Sequence, residues 1–523
     1  MNRAFGILLL AATPLAAATL ISSFREGNTI FLRLSDGSAQ IEWLTDSSFR
    51  FTRNWDGNFV RGPAWNPQPV VVSVNETADS LAVSSKYFTL TISKQGVLVS
   101  TAEPNGAVIM SDVSEASRQD GSITWERSAP LRARFFGLGA RSDSTVELRG
   151  SRVAAKNPFL LSTLGYGELH VAPGDYSFDM ARAKPDRYRI EARRSSKIDY
   201  YFFYGPAPKE VLEQMLALNG PIERLNPSQF DLLKLAEVPK DVPVLSSVSL
   251  ADAIHSLING SLSGTPLIAL SLDSAPDALR RRAIQLGSVA PLVTGSNPDW
   301  MKGTIRPELT AYLTTYAEEA RERGLPLLRA LPLQFSKDPE AAKVSDQFMF
   351  GDELLVAPIY NGQNSRSIYL PMGAWTRLSS NEQYSGKRII TIDAGPDELP
   401  LFSRNGAILP LGSDPMKLHY FPKLGGEFFL FEQELGEYSQ VHAGPAGDFM
   451  RLEIESKKDR EYEWIVHHSE RPTKITVGEA TYPQAKDRNQ LQSGSWFYDT
   501  RSKNLHVRAM GPAGADVIIN ISF

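Results

Sequence analysis

The sequence predicts a multidomain β plus α/β protein: a long β-sandwich, a run of parallel βα units, then two further β domains. Three observations predict it. Short alternating strands with frequent turn residues fill residues 19 to about 200. Helix and strand signals alternate between residue 208 and about 360. Strand texture returns from there to the C-terminus. A length of 523 residues is too great for one ordinary core and suits two to four domains.

The first segment has the order of an export signal. Arg3 supplies a positive start, Phe5 to Ala12 an apolar run, and Ala16-Ala17-Ala18 a small-residue cleavage site. The run is too short to span a bilayer, and no later segment reaches the ~20 apolar residues of a membrane span. The expectation is a signal peptide over 1–18 and a mature chain from near Thr19, in the periplasm or secreted. The chain has no cysteine, so disulfides, thiolate nucleophiles and Cys-ligated zinc are excluded. Net charge is -4 with no long Lys/Arg run, a weak argument against a nucleic-acid partner. Neither a cofactor nor a metal is expected.

Residues 19–222 read as the N-terminal sandwich. Phe31-Leu32-Arg33-Leu34, Gln40 to Leu44, Val70 to Val74 and Phe88 to Ile92 are its strand-like runs. Pro208 to Leu218 is the first helix, with Val211, Leu212, Met215 and Leu218 on one face and Asn219-Gly220-Pro221 as the stop. Residues 223–360 alternate. Helices are predicted at Ser249 to Leu262, Pro276 to Leu286 and Arg306 to Arg323. Parallel strands are predicted near Pro266–Leu270, Val289–Val293 and Leu325–Leu331, with Val242–Leu245 as a fourth. Residues 361–412 and 413–523 read as proximal and distal C-terminal β domains, with Phe428 to Phe431 opening the second.

Several segments read as motifs rather than as generic strands and turns. Phe136-Gly137-Leu138-Gly139 with Leu148-Arg149-Gly150 is similar to "YGLGE … RG", and Asn157 to Gly167 to "PFLIS…GYG". Asp199 to Pro206 is similar to "DYYFIYGP", Ser263 to Pro266 to "SGIP", and Gly324 to Arg329 to "GLPVMRP". Asp346 to Pro358 matches "DQFMLGDxLLVAP" almost letter for letter, and Tyr369 to Trp375 and Phe402 to Pro410 follow two further motifs. In these motifs and their order the chain resembles glycoside hydrolase family 31, and the resemblance implies a galactose-mutarotase-like N-terminal sandwich, a (β/α) barrel, two C-terminal β-sandwich domains, and an ancestry in α-glucosidases and α-xylosidases that hydrolyse O-glycosyl bonds.

A retaining glycosidase of this kind needs two carboxylates about 5 Å apart. The family's nucleophile motif, "W-x-D-x-N/M-E"-like, is absent, and its strand would fall between Pro221 and Ser263. A complete barrel takes ~250 residues where this region offers roughly 140, so the first half of the barrel is missing. For the acid/base, Asp241 lies near the expected position after a one-residue shift, beside Lys240, and equally reads as a surface Asp. Ser271 stands where a substrate-contacting Asp is expected, unless Asp273 has slid in. Arg282, Gln285 and Pro291 match a sugar-binding stretch, but its Trp, Arg and His are Ala283, Thr294 and Ser296. Arg282 and Trp300, the latter in a partial match to "EPW", are the substrate-binding candidates. Trp55, Trp65 and Trp375 read as sugar-stacking or core residues. His467 and His468 read as solvated strand histidines on opposite faces, and Glu432, Glu434 and Glu437 as a structural turn.

Three functional readings stand. The first is a carbohydrate-related pseudoenzyme that binds glycans through its sandwich domains or acts as a structural partner. The second is an active glycosidase with relocated carboxylates, Asp241 or Asp273. The third is an internally deleted paralogue without a role of its own. An open half-barrel would present Leu267, Ile268, Leu270, Leu292, Val293, Leu327 and Leu328, which need a cover. The cover comes from the sandwich domains, from the segment Asn226 to Val242, or from a second copy in a homodimer.

Overall fold

The computed structural model describes residues 17–59 and 69–523; the apolar run Phe5 to Ala12 and Trp65 lie outside them. Two compact units emerge. The first comprises the described residues up to Ala133, Arg149–Lys156 and Glu168–Tyr204; the second Arg134–Leu148, Asn157–Gly167 and Gly205–Phe523.

The first unit is all β. Leu20–Glu26, Thr29–Leu34, Gly37–Thr45, Ser48–Asn54 and Lys197–Tyr204 pair antiparallel in that order. A meander from Ser73–Glu76 to Val108–Ser111 forms a second sheet. In the third, Ser117–Gln119, Ser122–Ser128, Arg187–Arg193, Asp175–Asp179 and Arg152–Ala155 lie side by side. Alternation sorts the faces: Ile123, Trp125, Ile190 and Phe178 are buried, while the residues between them face outward. Aromatic rings fill the core, with Phe49 stacked on Phe202 at 4.9 Å and Trp43 on Phe88 at 5.2 Å.

The second unit holds the incomplete barrel. Helix Leu250–Ser261 starts where Ser249 accepts a hydrogen bond from the Asp252 N–H. Helix Thr310–Arg323 ends at Gly324 with φ 68°, whose N–H donates to Ala320 O. Four short strands pair parallel in the order Leu232–Leu233, Leu292–Thr294, Ala269–Ser271, Val244–Ser246. Leu328–Ala330 differs from expectation. It pairs antiparallel with Phe348–Phe350 and opens a six-stranded sheet, because the chain turns through the helix Leu331–Gln334 and returns as a hairpin. The Leu327 N–H, donating to Pro266 O at 3.3 Å, ties its start toward the parallel strands.

The open edge is covered from within the chain. Leu232–Leu233 adds as a parallel strand beside Leu292–Thr294. Arg306, 2% exposed, clamps that addition by donating to the carbonyls of Phe230, Gly287, Ala290 and Pro291. Burial depresses its guanidinium to about 9. Leu267, Ile268, Leu270, Leu292, Val293, Leu327 and Leu328 are all buried.

The best-matched sequence motif is a packing knot. Gly351 has φ 60°, and a Cβ there would stand 2.3 Å from Tyr312 and Tyr316. Glu353 is buried and accepts from the hydroxyls of Tyr312 and Tyr316, while Asp352 receives Lys209 at 2.8 Å and Arg329. The Gln347 amide spans both main-chain groups of Tyr369 at 2.8 Å.

Candidate functional site

Ligand sites in parallel βα folds gather where strands end at their carboxyl termini. Here that edge is Ser246, Ser271 and Thr294, aligned in register across three strands. The loops beyond it carry small polar residues. Ser246 Oγ donates to Ser274 Oγ at 2.9 Å, and the Ser247 N–H donates to the same oxygen at 3.0 Å. Asp273 Oδ1 accepts from the Ser296 N–H at 2.9 Å and from the Ser296 hydroxyl at 2.7 Å.

Trp300 folds over the end of the third strand. A Cβ on Gly295 would meet its ring at 2.7 Å, so glycine permits the contact. Arg280 lies 5.2 Å over the same ring and donates to the carbonyl of Leu272 at 2.5 Å. Trp300 is thus half-buried against Gly295 and Arg280.

The other sequence candidates lie elsewhere. Asp241 is exposed, in the turn before Val244–Ser246, at the opposite end of the sheet from Asp273. The three-residue strands between the two carboxylates span about 10 Å at ~3.3 Å per residue, twice the ~5 Å that a retaining pair requires. Arg282 is buried and donates to the carbonyls of Gly395 (2.6 Å), Ala394 (3.0 Å), Gln363 (3.0 Å) and Glu398 (3.3 Å), and to Asn364 Oδ1 (3.1 Å). Burial lowers its pKa, against the pull of Asp397 and Glu398. Its five contacts join helix Arg280–Gly287 to the loops at Gln363-Asn364 and Ala394 to Glu398. Trp375 is core, its Nε1–H donating to Pro371 O at 2.9 Å. Trp55 receives Arg53 at 4.8 Å.

The expectation of solvated histidines at 467 and 468 is corrected for His467. Its strand stops at Val466, and the His467 ring is buried between His419 (3.0 Å) and Asn381 (2.9 Å), stacked on Phe421 at 4.3 Å. The cross-strand neighbours that bury it are invisible to local alternation. Glu432 is buried in its turn and bound by Arg460 at 2.8 Å and Ser439 at 2.8 Å. Among the described residues no group of three or more His, Asp or Glu is arranged to hold a metal ion, and no helix is long and apolar enough to cross a membrane.

Comparison with known proteins follows the same division. Residues 324–409 match the glycosyl hydrolase family 31 C-terminal domain. The chain is 27% identical over 239 residues to an isomaltosyltransferase of Sporosarcina globispora, covering 41% of this chain and 21% of that protein. It is 33% identical over 125 residues to an α-glucosidase of Saccharolobus solfataricus, covering 23% of this chain and 18% of that protein. The matches therefore span less than a quarter of either relative. In fold, the chain resembles a Flavobacterium johnsoniae GH31 dextranase complexed with glucose, with TM-score 0.82 and 16% identity, covering 97% of this chain and 100% of that one. A GH31 α-xylosidase from Xanthomonas citri superposes with TM-score 0.70 at 13% identity, covering 92% and 98%.

Proposed function

We propose that this chain, which resembles glycoside hydrolase family 31 over residues 324–409 and in fold, is an exported, carbohydrate-binding member of that family that does not hydrolyse α-glucosides or α-xylosides. One observation carries the proposal: Asp241 and Asp273 stand at opposite ends of the parallel strands, so neither serves the other as nucleophile and acid/base. The Ser296 hydrogen bonds that occupy Asp273 also favour this role. Ser296 and Thr294 in place of a sugar-binding His and Arg remove the charged groups that would hold a glycon. Steady-state assays with p-nitrophenyl α-glucoside and α-xyloside test it. A rate at the buffer blank is expected, and turnover abolished by D241N or D273N would favour relocated carboxylates instead.

Export follows from the signal-like order of Arg3, Phe5 to Ala12 and Ala16-Ala17-Ala18. Ala18 is buried, and its N–H donates to Glu115 Oε1 at 2.9 Å. Cleavage that leaves Ala18 first would place the new ammonium on that carboxylate. Intact-mass analysis of the protein recovered from the periplasm or medium tests this, with a start at Ala18 or Thr19 expected and a retained Met1 contradicting it.

A further inference from the structure

A cleft of about 290 Å³ opens on the outer face of the first unit's third sheet, between that face and the loop carrying Ala183 and Lys184. Cross-strand register builds its floor. Arg152 stands opposite Asp179, Asp179 opposite Arg189, and Arg189 opposite Glu126, so one outward row crosses four strands with alternating charge. The row beneath the sheet, Val153, Phe178, Ile190 and Trp125, is buried and fixes which way the charged row faces.

The carboxylates of this cleft are already engaged. Glu126 accepts from Lys184 and Arg187, each at 3.3 Å. Asp179 accepts from the N–H groups of Arg182 (2.9 Å) and Ala183 (3.1 Å), holding the loop that forms the wall. Glu191 accepts from Arg193 at 2.9 Å and Ser177 at 3.4 Å. The cations are not all engaged. Among the described residues the Arg189 guanidinium makes no side-chain hydrogen bond and no ion pair within 4 Å, and it acts on Glu191 only through its charge at longer range. Arg152 has only a 3.8 Å approach to Glu191, with its side chain 57% exposed. Four cations line the cleft against three carboxylates. Two guanidinium forks two strands apart, about 10 Å by strand spacing, frame a space that takes an oxyanion and the hydroxyls of a ring beside it.

We propose that this cleft binds an anionic saccharide, through a carboxylate or sulfate held by Arg189 and Arg152, with hydroxyls reaching Ser177 and Glu191. This deepens the glycan-binding role proposed above and presupposes it. The shared chemistry is an oxyanion on a polyol ring, and the two sources separate by experiment.

Isothermal titration of the full-length mature protein with trigalacturonate, a sulfated trisaccharide and neutral isomaltotriose tests the assignment. Saturable binding of at least one acidic trisaccharide is expected, and which one binds names the source. Arg189→Ala and Arg152→Ala should each weaken it at least about 10-fold, the loss of a charge-assisted contact. Arg189→Lys should recover part of the loss, and rising salt should weaken wild-type binding. Both arginines are solvent-facing, so the variants should melt with wild type, and circular dichroism checks this. Failure of the wild type to bind either acid overturns the assignment, as does binding indifferent to both arginines. Binding of isomaltotriose with no binding of either acid overturns this cleft while the broader glycan-binding role survives; no binding of any of the three removes both.

Discussion

Asp273 and Ser296 fasten the carboxyl ends of two adjacent parallel strands to each other: one carboxylate oxygen takes the Ser296 N–H at 2.9 Å and its hydroxyl at 2.7 Å. The carboxylate at the edge where barrel chemistry is housed is therefore spent on tying loops. S296A should cost about 1 kcal/mol of stability, the ordinary worth of such a bond at a solvent-accessible site. D273A should cost somewhat more because it also frees the Ser296 N–H. Urea denaturation measures both, and a value near zero for each would show that the pair is not formed.

Arg282 makes a larger difference. Its guanidinium satisfies four carbonyls and one side-chain amide in a buried setting. R282M leaves those acceptors without donors, and a loss of about 3 kcal/mol is expected. Equilibrium unfolding reads it, and a change under 1 kcal/mol would mean that water replaces the side chain.

Stability should fall as pH drops from about 7 toward 4. Burial, with Lys417 and His506 adding to it, depresses His419 to about 4, and burial also holds His467 well below its usual range. An unfolded histidine titrates near 6.5. Between the two values the unfolded chain binds the proton and the folded chain does not, so acid favours unfolding. Glu353 opposes this: burial, then Asp352, raise it to about 7, so its folded form gains protons first in the same window. Glu463 enters only at lower pH. Burial would raise it, but His506 and Arg488 hold it near 2. Melting temperatures from pH 8 to 4 test the sign. H419F should flatten the slope, and an unchanged slope would place the effect elsewhere.

Mature protein at micromolar concentration should run as a monomer in light scattering. The seven apolar residues of the half-barrel are buried within the chain, and Leu232–Leu233 already occupies the strand edge. A concentration-dependent dimer would show that another face drives association.

Much of this fold was legible in local pattern. The helix from Ser249 to Leu262, the stop at Gly220 and the helix ending at Arg323 all follow from side-chain chemistry within a few residues. Strand Leu232–Leu233 was not, because two residues carry no period and their partner lies sixty residues on. The antiparallel pairing of Leu328–Ala330 was lost for a related reason: a buried strand reads the same in either direction. At the site, the absence of a nucleophile motif was plain in the sequence. The role of Arg282 was not, since a motif-matched arginine and a loop-binding arginine look alike until their acceptors are known. The cleft at Arg152 and Arg189 had no sequence signal, because register alone assembles it.

The proposed loss of hydrolysis concerns a chain whose fold resembles that of a GH31 dextranase. The most direct test is single-turnover and steady-state hydrolysis of p-nitrophenyl α-glucoside and α-xyloside by the mature wild-type protein alongside D273N. Separating the two carboxylates removes the concerted pair on which such catalysis depends. Both proteins should release p-nitrophenol no faster than the buffer blank; a wild-type rate above the blank that D273N abolishes would contradict the account.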